Sequence, residues 1–127
     1  MRYIFENGNS SRDQHKETIN PKYTTWMKSI LRRSKEIEKV ELPICSIILD
    51  ERGRCIGRGV NRRYINNDPL GHAEIMALRQ ASLIKNDWRF NECTIITNLE
   101  PCTMCSSALI QARICLLYTS PSPRDRH

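Results

Sequence analysis

Three side chains that bind soft metals, and one carboxylate that need not, stand in two short segments. These are His72-Ala73-Glu74 and Pro101-Cys102-Thr103-Met104-Cys105. One imidazole and two thiols form a donor set suited to zinc. A structural zinc site is closed by four protein ligands, whereas a catalytic one keeps three and leaves the fourth position for water. The other histidines, His15 and His127, lie in polar terminal segments, and no fourth soft ligand sits at motif spacing. The count points to an open, catalytic zinc, one per chain. Glu74 follows His72 by two residues and can share its helix mouth without ligating. A carboxylate there can take a proton from water and hand it on. Zinc assists by lowering the pKa of bound water to about 7.

Such groups act together only if helix ends carry them. Glu100-Pro101-Cys102 reads as a helix entry, because proline is tolerated in a first turn. Cys102 and Cys105 then share one face of that turn. The positive helix end favours thiolate over thiol. His72 opens an amphipathic stretch, expected over 72–84, with Ala73, Met76, Ala77 and Ala81 apolar at helical spacing. Upstream, Thr24 or Thr25 can cap a helix ending near Glu38, with Trp26, Ile30, Leu31 and Ile37 as its apolar stripe. Segments 44–49 and 54–60 flank a turn at Asp50-Glu51-Arg52-Gly53 and predict a hairpin. A third strand is expected at 93–97 and a third helix at 101–112.

The two segments together form the pattern of zinc-dependent nucleobase deaminases. The chain resembles the bacterial tRNA adenosine deaminases within the cytidine and deoxycytidylate deaminase superfamily. The resemblance is carried by Asn61, Asp68-Pro69, the run from His72 to Arg79, and the run from Leu99 to Cys105; it covers about Lys22 to Ile114. It implies a cytidine deaminase-like α/β fold, a three-layer α/β/α sandwich. It implies zinc-dependent hydrolytic conversion of adenosine to inosine at the wobble position of a tRNA anticodon. The implied metal ligands are His72, Cys102 and Cys105, with Glu74 as the catalytic proton shuttle. Asn61 would hydrogen-bond the target base, and Ala73 would line the pocket and offer its backbone N–H. The implied partners are a tRNA anticodon stem-loop and a second copy of the chain in a homodimer. Two positions depart from the family pattern: Cys45-Ser46 replaces a small Gly-Ala pair, and Gly71 replaces the common alanine before the histidine. A small-molecule deaminase acting on guanine, cytosine or deoxycytidylate would carry the same four central residues. A nonenzymatic zinc-binding module is a third reading, opposed by the free coordination position and by Glu74.

The net charge of +6 and pI near 9.2 suit a polyanionic partner. Arg58, Arg62, Arg63, Arg79 and Arg89 lie nearest the motifs and are candidates for phosphate binding, while Lys28, Arg32 and Arg33 are expected on the exposed side of the first helix. Trp88 is expected to serve packing. Of six cysteines, two belong to the metal motif; Cys45, Cys55 and Cys93 fall in apolar runs and read as buried thiols. With no apolar signal segment, this usage fits a reducing cytoplasm. No run approaches the roughly 20 apolar residues of a membrane span. Residues 1–21 are polar and read as a disordered leader, and 22–114 as the deaminase domain. From Cys115 the sequence leaves the family pattern and resembles a translated transposase-type sequencing adapter. Residues 115–127 are therefore expected to be a non-native tail on a domain truncated at its C-terminus.

Overall fold

The apolar runs assemble into one five-stranded mixed sheet. The computed structural model describes residues 1–5 and 20–120. In chain order the elements are β1 (Arg2–Phe5), α1 (Pro21–Ile37), β2 (Cys45–Leu49), β3 (Cys55–Val60), α2 (Ala73–Lys85), β4 (Thr94–Thr97), α3 (Thr103–Gln111) and β5 (Leu116–Thr119). The strand order is β1-β5-β4-β2-β3. β2 runs antiparallel to both of its neighbours, while β4, β5 and β1 are parallel. Alternation sends successive side chains to opposite faces. On one face Met27 and Ile30 of α1 pack with Cys45, Ile47, Leu49, Ile96 and Tyr118. On the other, Ala77, Ala81 and Leu109 of α2 and α3 pack with Ile48, Ile95 and Leu117. This is the expected α/β/α sandwich, in which the central β2 and β4 are buried at every position.

Local chemistry explains where elements begin. α1 starts earlier than its threonines suggest. Asn20 is the cap, accepting the Lys22 N–H at 3.0 Å, and Pro21 occupies the first turn. The Thr24 and Thr25 hydroxyls instead donate to the Pro21 carbonyl. The β2–β3 hairpin forms as expected. Asp50 accepts the N–H groups of Arg52 and Arg54, and Gly53 supplies the left-handed residue at φ +79°.

Two segments differ from expectation. Arg2–Phe5 lies in the expected disordered leader yet forms β1, parallel to β5. Leu116–Thr119 lies in the expected tail yet forms β5, fully buried between β4 and β1. Both segments are short and carry apolar side chains at alternate or successive positions, and the sheet offers each a partner. Leu116 and Tyr118 face the α1 layer, Leu117 the α3 layer, and Tyr118 packs its ring 5.4 Å from that of Tyr23. The remainder of the leader, residues 6–19, and of the tail, residues 121–127, lies outside the described residues.

The seat of α2 matters most for function. Gly57 and Gly59 of β3 face it with no side chain between. A Cβ on Gly59 would lie 2.1 Å from the Ala73 carbonyl oxygen and 2.6 Å from the Ala77 nitrogen; on Gly57 it would lie 2.6 Å from the Ala77 oxygen. These obstacles are backbone and cannot rotate away. Gly59→Ala must lift α2 off the sheet at its N-terminal turns. The expected cost is at the top of the roughly 1–3 kcal/mol range for overpacking, or above it. Thermal denaturation should place Gly59→Ala more than about 10 °C below wild type. Gly53→Ala, which has space but the wrong φ, should cost only about 1–2 kcal/mol.

Candidate metal centre

Two helix N-termini converge on the site, and each is capped by a metal-ligand candidate. His72 is the N-cap of α2 and Cys102 that of α3; both have extended backbones and neither side chain caps its own helix. Their carbonyls accept the first intrahelical bonds, from Met76 at 3.0 Å and Ser106 at 2.8 Å. The side chains, which cap neither helix, turn toward each other. Pro101 stands just before the cap rather than inside the first turn, so α3 starts later than the sequence suggested. Cys105 sits one turn in, buried.

His72 Nδ1 lies 3.6 Å from Cys102 Sγ and 3.5 Å from Cys105 Sγ. All three donor atoms lie within 4.8 Å of one another. A tetrahedral zinc with Zn–N of about 2.0 Å and Zn–S of about 2.3 Å sets N···S separations of about 3.6 Å. The residues therefore fit the ion without rearrangement. Burial, the Glu74 carboxylate and Cys102 all push the Cys105 thiol well above its ordinary pKa. A cation shared with Cys102 and His72 is what stabilises thiolate in such a place.

Glu74 lies one residue beyond the start of α2 and is 4% exposed. Burial raises its pKa above the ordinary carboxylate value, partly offset by its own backbone N–H, the Cys105 thiol and the nearby His72. Its Oε1 is buried with no partner among the described residues. A buried, unpaired carboxylate oxygen costs on the order of 1–3 kcal/mol or more. The orphaned oxygen belongs to the residue two positions after His72, at the same helix end.

Three loops hold this arrangement. Arg62 N–H donates to the Gly71 carbonyl at 2.7 Å, tying the end of β3 to the start of α2. Asn61 is therefore held beside His72, buried at 1% exposure, with Oδ1 accepting the Arg63 N–H at 3.0 Å. Sequence reasoning did not single out two other braces. Asn98 accepts the Cys45 N–H at 2.9 Å and donates to Pro43 O at 2.9 Å, binding the β4–α3 loop to the entry of β2. Glu41 is buried, and its Oε1 accepts the Ile65 N–H at 2.7 Å, bracing the β3–α2 loop from the α1–β2 side. The available signals were an amide at a strand end and an acid in a short loop, both common in positions of no consequence.

The arginines separate. Arg58, Arg62 and Arg79 border one groove on the β3 side. Arg63 turns onto the Tyr64 ring at 5.0 Å. Arg89 follows the C-terminal end of α2 and pairs with Asp87 at 3.1 Å. α2 has 13 residues, a length of about 20 Å, so Arg89 stands at the end away from the metal ligands. Trp88 is not packed away as expected: it is 57% exposed, with Arg89 and Arg113 guanidiniums 5.8 and 5.2 Å from its ring.

Residues 20–120 match the family described as the cytidine and deoxycytidylate deaminase zinc-binding region. The chain belongs to that family. Over 92 residues it is 39% identical to a tRNA-specific adenosine deaminase of Streptococcus pyogenes, covering 72% of this chain and 57% of the relative. The chain spans about half the length of the curated relatives it matches. Its fold is similar to guanine deaminase from Bacillus subtilis, at TM-score 0.75 and 28% identity over 84% of this chain and 68% of that one. It is similar as well to a tRNA:A34 deaminase of A-to-I editing, at TM-score 0.72 and 35% identity over 80% and 78%. The deaminase fold thus comes with the zinc donor set in place. Among the described residues no helix is long and apolar enough to cross a membrane.

One zinc per chain is expected in the purified protein by elemental analysis. His72→Ala and Cys105→Ser should each lower occupancy at least tenfold under dialysis against a mild chelator, because two ligands do not replace three. Full occupancy in both variants would place the ion elsewhere.

Proposed function

We propose that the site hydrolytically deaminates adenosine to inosine at the wobble position of a tRNA anticodon. The observation that carries the hydrolytic part is the buried, unpartnered Oε1 of Glu74 beside a three-ligand triad. The substrate follows from likeness to relatives named as tRNA-specific adenosine deaminases and from the net charge of +6.

The reaction adds water at C6 of the purine and releases the exocyclic amine as ammonia. His72, Cys102 and Cys105 would hold the zinc, which would supply Lewis-acid activation of water at neutral pH. Glu74 takes one proton from the attacking water on Oε1 and passes it to the ring nitrogen; it then takes the second water proton from the hydroxyl formed at C6 and delivers it to the departing amine, which leaves as ammonia. Burial suits it to this work, since it raises the proton affinity of the carboxyl above that of an exposed glutamate. Ala73 is the first residue of α2, so its N–H has no intrahelical acceptor and is available to the base. Asn61 uses Oδ1 in its own turn, which leaves the Nδ2 amide to donate to the base.

A homodimer is proposed as the working form. Ile84 on α2 and Ile110 on α3 are 62% and 60% exposed, apolar surface that a second copy would cover. All six cysteines are free, which supports a reducing compartment such as the cytoplasm.

A second reading, a deaminase of free guanine, is favoured by the guanine deaminase of similar fold. An assay of inosine in an anticodon stem-loop, run beside free guanine, cytosine and deoxycytidylate, separates the two. Inosine in the stem-loop without turnover of free bases is the expected outcome; the reverse would replace the RNA reading with the second one.

Glu74→Gln keeps the shape and removes the proton acceptor. It should retain full zinc and lose about 10⁴-fold in kcat, the upper end for one acid–base group, because a single carboxylate serves several transfers. Retention of activity within about tenfold of wild type would remove Glu74 from the proton path.

A further inference from the structure

A groove of about 720 Å³ follows the open edge of β3, outside the metal centre. α1 forms one wall and α2 the other, with Arg58, Gly59 and Val60 as the floor. β3 is the terminal strand of the sheet on this side. Asn61 pairs its N–H with Ile44 O, so by alternation Arg58 points its N–H away from β2. That N–H is taken at 2.6 Å by the Gln80 side-chain oxygen. Gln80 thereby occupies one outward donor of the β3 edge. The groove is lined by apolar side chains, Trp26, Val60 and Met76 among them, and by charged ones.

The charged side chains are strongly one-signed. Arg32, Arg33, Arg58, Arg62 and Arg79 line the groove, against Glu36 as its acid. Arg33 takes Glu36 at 2.8 Å, and Arg79 lies a looser 3.9 Å from Asp68. Arg32, Arg58 and Arg62 have no ion pair among the described residues. Arg32 and Arg58 come from different layers of the sandwich and are both exposed, so their charges converge on one channel. Planar guanidiniums are matched to phosphate oxygens. The lining of the groove adjoins the site along the chain. Val60 and Arg62, which line it, flank Asn61, and Met76, which lines it, lies one helical turn from His72.

We propose that this groove holds the phosphodiester backbone of the single-stranded RNA segment adjoining the nucleotide that enters the metal centre. The inference rests on the reading of the site as an RNA deaminase and adds the α1 arginine, Arg32, to the RNA surface. Phosphates are held along β3 while the reacting base turns in over Asn61. The basic cluster around Trp88, at the far end of α2, takes no part.

The test uses the full chain loaded with zinc and a fluorescent anticodon stem-loop RNA. Dissociation constants are measured by anisotropy over a range of salt for wild type, Arg32→Glu/Arg58→Glu, and Arg89→Glu/Arg113→Glu. The two double variants change net charge equally. The groove variant should bind at least about tenfold more weakly at low salt. Its log–log salt slope should flatten by roughly 1.4, about 0.7 for each single-strand phosphate that is no longer neutralised. The Arg89→Glu/Arg113→Glu control should bind within about twofold of wild type and form inosine at the wild-type rate. Equal losses in both double variants, or none in the groove variant, would overturn the groove. Arg32→Gln/Arg58→Gln, with thermal melting of each protein, guards against a folding effect: loss of affinity with an unchanged melt is the supporting result. Wild-type protein that converts free guanine and leaves the stem-loop adenosine intact would overturn the reading of the site. The groove would then still stand or fall on the difference between the two double variants.

Discussion

A helix pressed onto a strand with nothing between them sets the rest of this structure. Gly57 and Gly59 let the backbone of α2 meet that of β3, and the first turn of α2 is thereby fixed against the sheet. His72, Ala73 and Glu74 all belong to that turn or its cap. A metal site needs its donors placed to a few tenths of an ångström, and a long side chain between helix and strand would introduce rotamer choices at its foundation. Backbone against backbone allows none. The second foundation is the Arg62–Gly71 hydrogen bond, which returns the chain from the end of β3 to the start of the same helix. Asn61 and His72 are eleven residues apart in sequence, yet this one bond holds them side by side.

The electrostatics of the site work against the fold and in favour of its chemistry. Glu74 and Cys105 are both buried, burial raises the pKa of each, and the Glu74 carboxylate pushes the Cys105 thiol up further. Left alone, such a cluster destabilises the chain, since ionised groups lose hydration without full compensation. Two helix N-termini point their positive ends at it, which offsets part of that cost. A divalent cation offsets much more, so metal binding and stability are coupled here. Glu41 presents a related case away from the metal. Its Oε1 braces Ile65, while its Oε2 is buried and unpartnered among the described residues. Buried acidic groups with an unpartnered oxygen among the described residues thus sit on both sides of the β3–α2 loop.

The metal motif was legible because few residue types can perform that work, and their spacing matched two helix entries. The hairpin was legible because Asp50 and Gly53 are turn residues for definite reasons, one by side-chain acceptance and one by φ. What the sequence concealed was of three kinds. The α1 cap lay in Asn20-Pro21 rather than in the threonines, because adjacent capping signals compete and only tertiary position decides between them. Strands β1 and β5 were concealed because a run of four residues has no period long enough to read. A strand slot asks for apolarity and alternation, not for ancestry, and Leu116-Leu117-Tyr118-Thr119 meets that demand whatever its origin. The braces Glu41 and Asn98 were concealed because each gains its role from a partner distant in sequence.

The four central residues do not by themselves choose a substrate. His72, Glu74, Cys102 and Cys105 would activate water against a purine or a pyrimidine alike, and the fold is shared with deaminases of free bases. Discrimination must come from what surrounds them: the loops that frame the base and the surface that receives what is attached to it. A free base brings nothing to bind beyond its ring. An RNA loop brings phosphates on both sides of the reacting nucleotide, and their neutralisation contributes most of the affinity. Arg32, Arg58 and Arg62 line a groove along β3, and two of its lining residues, Val60 and Arg62, flank Asn61. On the proposed RNA reading, this charge at the edge of the sheet, rather than chemistry at the metal, is what would set the chain apart from a deaminase of free bases.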